Sequence, residues 1–220
     1  SGPAPTGSSQ RREQPLPDLQ HASASVKEKA VSSREVLSIG HPALREVAQD
    51  VPLAEVGSAQ VQALIDDLVA TMRHANGAGL AATQVGEPVR IAVMEVGDNP
   101  RYPYKPRIPL TVAINPVIEP LDDEQVVINE GCLSVPLRGE VRRHVNVRVR
   151  YLDRDGAEHD EVIRGLTAAT WQHECDHLDG VLFIDKVDDP ATLSTWDTYK
   201  AFHRDAFVER ITAFVARVGS

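Results

Sequence analysis

The 220-residue chain is short of cysteine, with Cys132 and Cys175 its only two. A disulfide-stapled scaffold carries more of them in a shorter chain, so both thiols are expected to be free for other chemistry. Long apolar runs are missing too. None approaches the ~20 residues needed to span a bilayer, and no membrane segment is expected. Positive charge is in deficit, 23 Lys and Arg against 32 Asp and Glu, for a formal net charge of −9. That balance argues against a general binder of phosphate backbones, and no direct nucleic-acid site is expected. No internal repeat is visible. A hydrophobic content of 42% supports a real core, and the length suits one compact domain with a short appendage.

Residues 1–34 are rich in Ser, Pro, Gln and Ala and lack a sustained period, so they read as a disordered tail. The Ser1-Gly2 start suggests a cleaved tag or a processed precursor. Glu13, Asp18 and Glu28 argue against an organelle-targeting remnant, because such segments avoid acids. Ser58 fits the cap of a helix with Val61, Leu64, Ile65, Leu68 and Met72 on one face, ended by Asn76-Gly77.

Val89–Val96, Val112–Ile118 and Val126–Asn129 read as strands, and Pro100, Pro103, Pro106 and Pro109 mark an irregular loop. Val145, Val147, Val149 and Tyr151 alternate with Asn146, Arg148 and Arg150, a half-exposed strand turned back by Asp153–Gly156 towards a partner near Glu158–Arg164. Gly165 opens a helix that Asp179-Gly180 closes. Asp189-Pro190 fits the start of a last helical region, where Phe207, Ile211, Phe214, Val215 and Val218 keep helical spacing. The expected class is α+β: small antiparallel sheets around a central helix, with an N-terminal and a C-terminal helix. Domain limits follow as tail 1–34, catalytic domain 35–190 and C-terminal helical extension 191–220.

The central helix contains His173-Glu174-Cys175-Asp176-His177, a His-Glu-x-x-His pattern. Histidines four apart sit one turn apart on one face, so both imidazoles can bind one ion. Glu174 lies about 100° round the helix from His173 and can take a proton from water activated at that ion. The competing reading is a solvated helix with two surface histidines. A third ligand is needed, and Cys132, in Glu130-Gly131-Cys132-Leu133-Ser134-Val135-Pro136, offers a thiolate that leaves a fourth position open. Alternatively Cys132 is a small buried hydrophobe. Cys175, two residues past His173, points to the opposite helix face.

Gly77–Gly86 is a run of small residues that would let a ligand backbone approach, with Gln84 as an uncharged amide donor; a tight turn is the plainer reading. A phosphate loop is not supported, since no Gly-Lys-Ser/Thr follows. Leu166, Ala169 and Thr170 extend the His173 face and either line an apolar pocket or pack as core.

Taken in order, Gly-x-Gly-Leu-Ala-Ala-x-Gln, Glu-Gly-Cys-Leu-Ser and Gln-His-Glu-x-Asp-His resemble the peptide deformylase family, over roughly residues 36–190. The stretch Val36–Arg45 looks like that family's opening segment. The resemblance implies one divalent ion, usually Fe(II) with Zn, Ni or Co as substitutes, held by Cys132, His173 and His177. It implies Glu174 as general base and then acid, with Gln84 and the Leu133 backbone N–H stabilising an oxyanion. Gly79 would hold an extended substrate backbone, Leu166, Ala169 and Thr170 a methionine side chain, and Arg138 the substrate backbone or a carboxylate. The implied substrate is an N-formylmethionyl polypeptide that releases formate. The amphipathic C-terminal segment either packs on its own domain, the plainer reading, or docks transiently on the ribosome. A bacterial cytoplasmic location is expected, with an organelle matrix as the alternative.

After Pro136 the chain departs from the pattern. Leu137–Arg143 is one residue shorter than in many relatives and lacks a second proline before Arg143, so this loop is expected to set its own substrate preference. Two rival readings remain. A zinc endopeptidase would need a downstream third ligand, for which Asp185, Asp188, Asp189 and His203 are available. A catalytically silent module would keep the metal as structure only.

Overall fold

The computed structural model describes residue 2, residues 32–97 and residues 104–219. The chain forms α1 (Ala59–His74), β1 (Gly79–Ala81), β2 (Ile91–Val96), β3 (Ile108–Pro120), β4 (Gln125–Cys132), β5 (Val135–His144), β6 (Asn146–Leu152) and β7 (Glu158–Arg164). It continues through α2 (Gly165–Leu178), β8 (Ser194–Thr195), α3 (Trp196–Phe202) and α4 (Arg204–Val218). Two antiparallel sheets result, ordered β1-β2-β3-β6-β7 and β4-β5-β8. This is the α+β arrangement the sequence implied. No helix among the described residues is long and apolar enough to cross a membrane.

Local signals explain the element ends. Ser58 caps α1 by accepting from the Val61 N–H at 3.3 Å, and Asn76 leaves the helix in the left-handed region at φ 52°. Along α1, Leu64, Ile65, Leu68 and Met72 are buried against Leu80, Ile91, Val93, Val112 and Ile114 of the large sheet. Each fully buried side chain of this size contributes roughly 1.5–3 kcal/mol.

The central helix, α2, is buried on more than one face. Ala168, Trp171 and Cys175 pack on Met94, Ala113, Val147 and Val149 of the large sheet. Leu166 and Ala169 meet Phe207, Ile211 and Phe214 of α4 together with Ile128 and Val145. Among the polar residues left over, His173 is only slightly exposed, and Glu174 and His177 are buried.

Several expectations change. Pro109, expected in a loop, lies inside β3 where the β2–β3 register shifts between Met94 and Val96, while Pro116 interrupts the strand as its sequence position implied, at the β3–β6 shift between Ile114 and Val117. Pro100 and Pro103 lie outside the described residues. Strand β5 is absent from the sequence reading. Asp189-Pro190 starts only a 3₁₀ turn, Pro190–Thr192, with Asp189 accepting from the Ala191 N–H at 2.9 Å; the C-terminal helices begin later, at the Thr195 cap. The expected disordered tail falls outside the described residues except for residues 2 and 32–34. Of these, Arg34 bonds to Asp67 Oδ2 at 2.9 Å and Glu87 Oε1 at 2.5 Å, which ties residue 34 to the domain.

Candidate metal centre and substrate cavity

Three elements converge on one point. β4 and β5 form a tight hairpin, with Cys132 paired to Val135 and a register shift between Gly131 and Cys132 that re-aims the thiol. Its Sγ lies 3.3 Å from His177 Nε2 and accepts from the Ser134 N–H at 3.3 Å. On α2 the His173 and His177 rings stand 4.9 Å apart, nearly perpendicular. One donor atom from each of Cys132, His173 and His177 lies within 4.8 Å of the other two.

Metal–sulfur and metal–nitrogen bonds of about 2.3 and 2.1 Å give a tetrahedral S···N edge near ~3.6 Å, so this donor set fits a divalent ion. No downstream acid joins it among the described residues. Asp185 pairs with Arg45 and Asp188 with Arg142. Cys175 stays in the core, and burial pushes its thiol up to about 12.

A chain of charges braces the histidines. His173 Nδ1 lies 2.9 Å from Glu130 Oε2, and Arg143 grips both Glu130 oxygens at 2.6 and 2.9 Å while its Nη1 reaches Asp176 Oδ2 at 2.6 Å. Lys186 closes the chain on Asp176 at 2.7 Å. Burial alone would raise the Glu130 carboxyl. The Arg143 guanidinium and His173 outweigh it and hold the carboxyl well below the usual range. Sequence reading did not assign this brace. In the β4–β5 ladder Glu130 pairs with Gly139 and Arg143 with Val126, so the two meet only through the reach of the arginine side chain, and Asp176 comes from α2.

Glu174 is 4% exposed, its Oε2 has no hydrogen-bond partner, and burial raises it to about 7. It leans on Gly79, where a Cβ would come within 2.2 Å of Oε1. Gln84 is fixed at both ends of its amide. Oε1 accepts from the Ala81 N–H at 2.9 Å, and Nε2 donates to Ser134 Oγ at 3.0 Å and lies 3.5 Å from Cys132 Sγ.

A cavity of about 290 Å³ opens on this cluster. Gly79, Gln84, Cys132, Leu133, Arg138, Leu166, Ala169, Thr170, His173 and Glu174 all line it, while His177 lies beneath, 1% exposed. Leu166 and Ala169 satisfy both of their readings, since they also pack against α4. The wall further includes Tyr104, Lys105 and Trp196, which the sequence did not flag, and Phe207, which it flagged only as an apolar position of the last helix. Lys105 donates to Thr170 Oγ1 at 3.1 Å, and burial lowers its amine to about 8. Tyr104 and Lys105 lie in the proline-studded segment before β3, and Trp196 and Phe207 come from beyond β5, so no local pattern joined them to the His-Glu-x-x-His helix.

Fold and site together define a class: an α+β hydrolase with a Cys-His-His donor set on a His-Glu-x-x-His helix. The family described as polypeptide deformylase matches residues 33–192. A peptide deformylase of Leptospira biflexa is 44% identical over 156 residues, 70% of this chain and 87% of that protein. The chloroplastic/mitochondrial peptide deformylase 1A of Arabidopsis thaliana is 40% identical over 183 residues, 78% of this chain and 67% of that one. The Met-Ala-Ser-bound crystal structure of a class I type b peptide deformylase from Acinetobacter baumannii superposes with a TM-score of 0.68 at 38% identity, covering 70% of this chain and 98% of that one. The chain belongs to the peptide deformylase family, metal-dependent enzymes that remove the formyl group from the N-terminal methionine of new polypeptides.

Proposed function

We propose that Cys132, His173 and His177 hold the resident ion, Fe(II), with Zn, Ni or Co able to replace it. Borderline nitrogen and sulfur donors suit all four, so the identity is tested by metal analysis after anaerobic purification. When bound, the ion supplies Lewis acidity to the formyl carbonyl and lowers the pKa of water at the site. The observation that carries the reading is Glu174, a buried carboxylate with one oxygen unpartnered beside the three donors.

Glu174 accepts the proton of the attacking water and passes it to the departing amine as the C–N bond breaks and formate leaves. Gln84 Nε2 and the Leu133 N–H donate to the oxygen that gains charge. Gly79 meets the substrate backbone as an added strand would, and Arg138 meets its backbone or a carboxylate. Leu166, Ala169 and Thr170 take the methionine side chain. A formyl carbon bears only hydrogen, so a site this confined admits it and rejects internal peptide bonds.

Formate release from formyl-Met-Ala-Ser without cleavage of casein is the expected result; the reverse pattern would favour an endopeptidase. Glu174→Ala should keep its metal and lose about 10²–10⁴ in kcat. Undiminished turnover there would remove Glu174 from the mechanism.

The location we propose is the bacterial cytoplasm, in keeping with the bacterial relatives, with an organelle matrix as the alternative that the chloroplastic/mitochondrial relative keeps open; transient contact with the ribosome belongs to the same proposal. Phe207, Ile211 and Phe214 are engaged in the core, so ribosome contact would fall to exposed residues of α4, among them Arg210 and Arg217, which border the buried face and pair there with Glu140 and Glu124. Co-sedimentation of an Arg210→Glu, Arg217→Glu chain tests this, and undiminished binding would reject it.

A further inference from the structure

The family match ends at residue 192, yet the chain goes on through β8, α3 and α4, and Trp196 and Phe207 of that continuation line the cavity. Trp196 gets there because Ser194 and Thr195 pair with Arg138 and Leu137, which brings α3 against β5. The Arg138 guanidinium carbon then lies 4.3 Å from the Trp196 ring centroid and 4.6 Å from that of Tyr199, close enough for cation–π attraction. Asn129 holds the same group through its edge: Arg138 Nε donates to Oδ1 and Nη2 to the main-chain oxygen, each at 2.7 Å. Gly131 leaves it room, since a Cβ there would stand 2.6 Å from Nη1.

The guanidinium is thus 2% exposed and locked in orientation, and Nη1 has no partner. A buried donor without an acceptor is costly, more so when charged, and a planar fork with one arm open matches a carboxylate oxygen. Lys105 places a second cation on the same wall.

We infer that the C-terminal segment completes a subsite for a carboxylate of the substrate, with Arg138 Nη1 as the donor and Trp196 as the residue that positions it. This rests on the substrate being a formyl-peptide. The carboxylate belongs either to an acidic side chain following the methionine or to the C-terminus of a short peptide.

Two substrate pairs separate these sources, assayed with the metal-loaded full chain. The first is formyl-Met-Ala-Ser against its C-terminal amide; the second is formyl-Met-Asp-Ser amide against formyl-Met-Asn-Ser amide. The anionic member of one or both pairs should show a roughly fivefold to tenfold lower KM at similar kcat. Arg138→Met and Trp196→Ala should each bring that ratio to about one, and Trp196→Tyr should restore it. A change that only loosened the fold would slow both members alike and leave the ratio standing.

The same ratio is read as Kd by calorimetry on the deformylated peptides. A chain that released no formate, which would sink the deformylase roles, would therefore still answer this question. A ratio near one for both pairs in the unaltered chain, or a ratio retained by Trp196→Ala, overturns the subsite.

Discussion

Glu174 rests so closely on Gly79 that any side chain there must displace it, with a Cβ landing 2.2 Å from Oε1 and 2.6 Å from Cδ. Gly79→Ala should therefore move the carboxylate without touching a metal ligand. A shift of about 1 Å at a reacting group can cost ~10²-fold, so kcat/KM should fall by about that factor while metal content is unchanged. Formate release measured alongside metal analysis checks both halves, and full activity would mean the carboxylate has room that this geometry denies.

Arg143 supports the opposite side of the cluster. Its fork holds both Glu130 oxygens and Asp176 at once, which a lysine cannot copy. Arg143→Met leaves the buried Glu130 carboxylate without its guanidinium and Asp176 with Lys186 alone, an expected loss of about 3–5 kcal/mol in urea unfolding. Because Glu130 also orients His173, metal affinity should drop ~10–100-fold, read by competition with a chelator. Arg143→Lys should recover little of either; wild-type stability in Arg143→Met would remove the brace from the account.

Among the elements, α4 makes its contribution by packing. Ile211 is 1% exposed in the cluster that contains Leu166 and Ala169 of α2. Ile211→Ala should cost about 2–5 kcal/mol, measured by denaturant unfolding. The exposed neighbour Thr212, changed to Ala, should stay within about 0.5 kcal/mol, and equal effects would place α4 off the core. This helix was legible in the sequence because its apolar residues recur at helical spacing. The strand β6 was legible for the same reason at a period of two.

Strand β5 was not legible, and its burial pattern says why. Two of its inward positions are held by arginines, Arg138 at 2% and Arg143 at 1% exposure. A buried arginine leaves no hydrophobic alternation to read. The site divides along the same line. His173, Glu174 and His177 were found from spacing on one helix, and Cys132 and Gln84 from short motifs. Glu130–Arg143, Gln84–Ser134 and Arg138–Trp196 are contacts between elements, and no single segment carries them.

Across the whole molecule, the donors of the metal centre come from frames that hold themselves. Cys132 stands at the end of a hairpin joined by eight paired positions, Gln125 through Cys132. His173 and His177 ride on a helix fixed by hydrophobic clusters on two faces. The ion therefore joins two structures that already stand, and it should add stability by mass action without being required for folding. Free metal at ~100 times its Kd contributes about 2.7 kcal/mol. For a chain of this size that corresponds to roughly 5–11 °C in Tm. Calorimetry in excess chelator should show a transition lowered by about that much, still single and cooperative, with helical dichroism retained and formate release abolished. If the chelated chain instead lost its cooperative transition, the ion would be a folding element, and α2 would owe its position to coordination and not to the clusters on its two apolar faces.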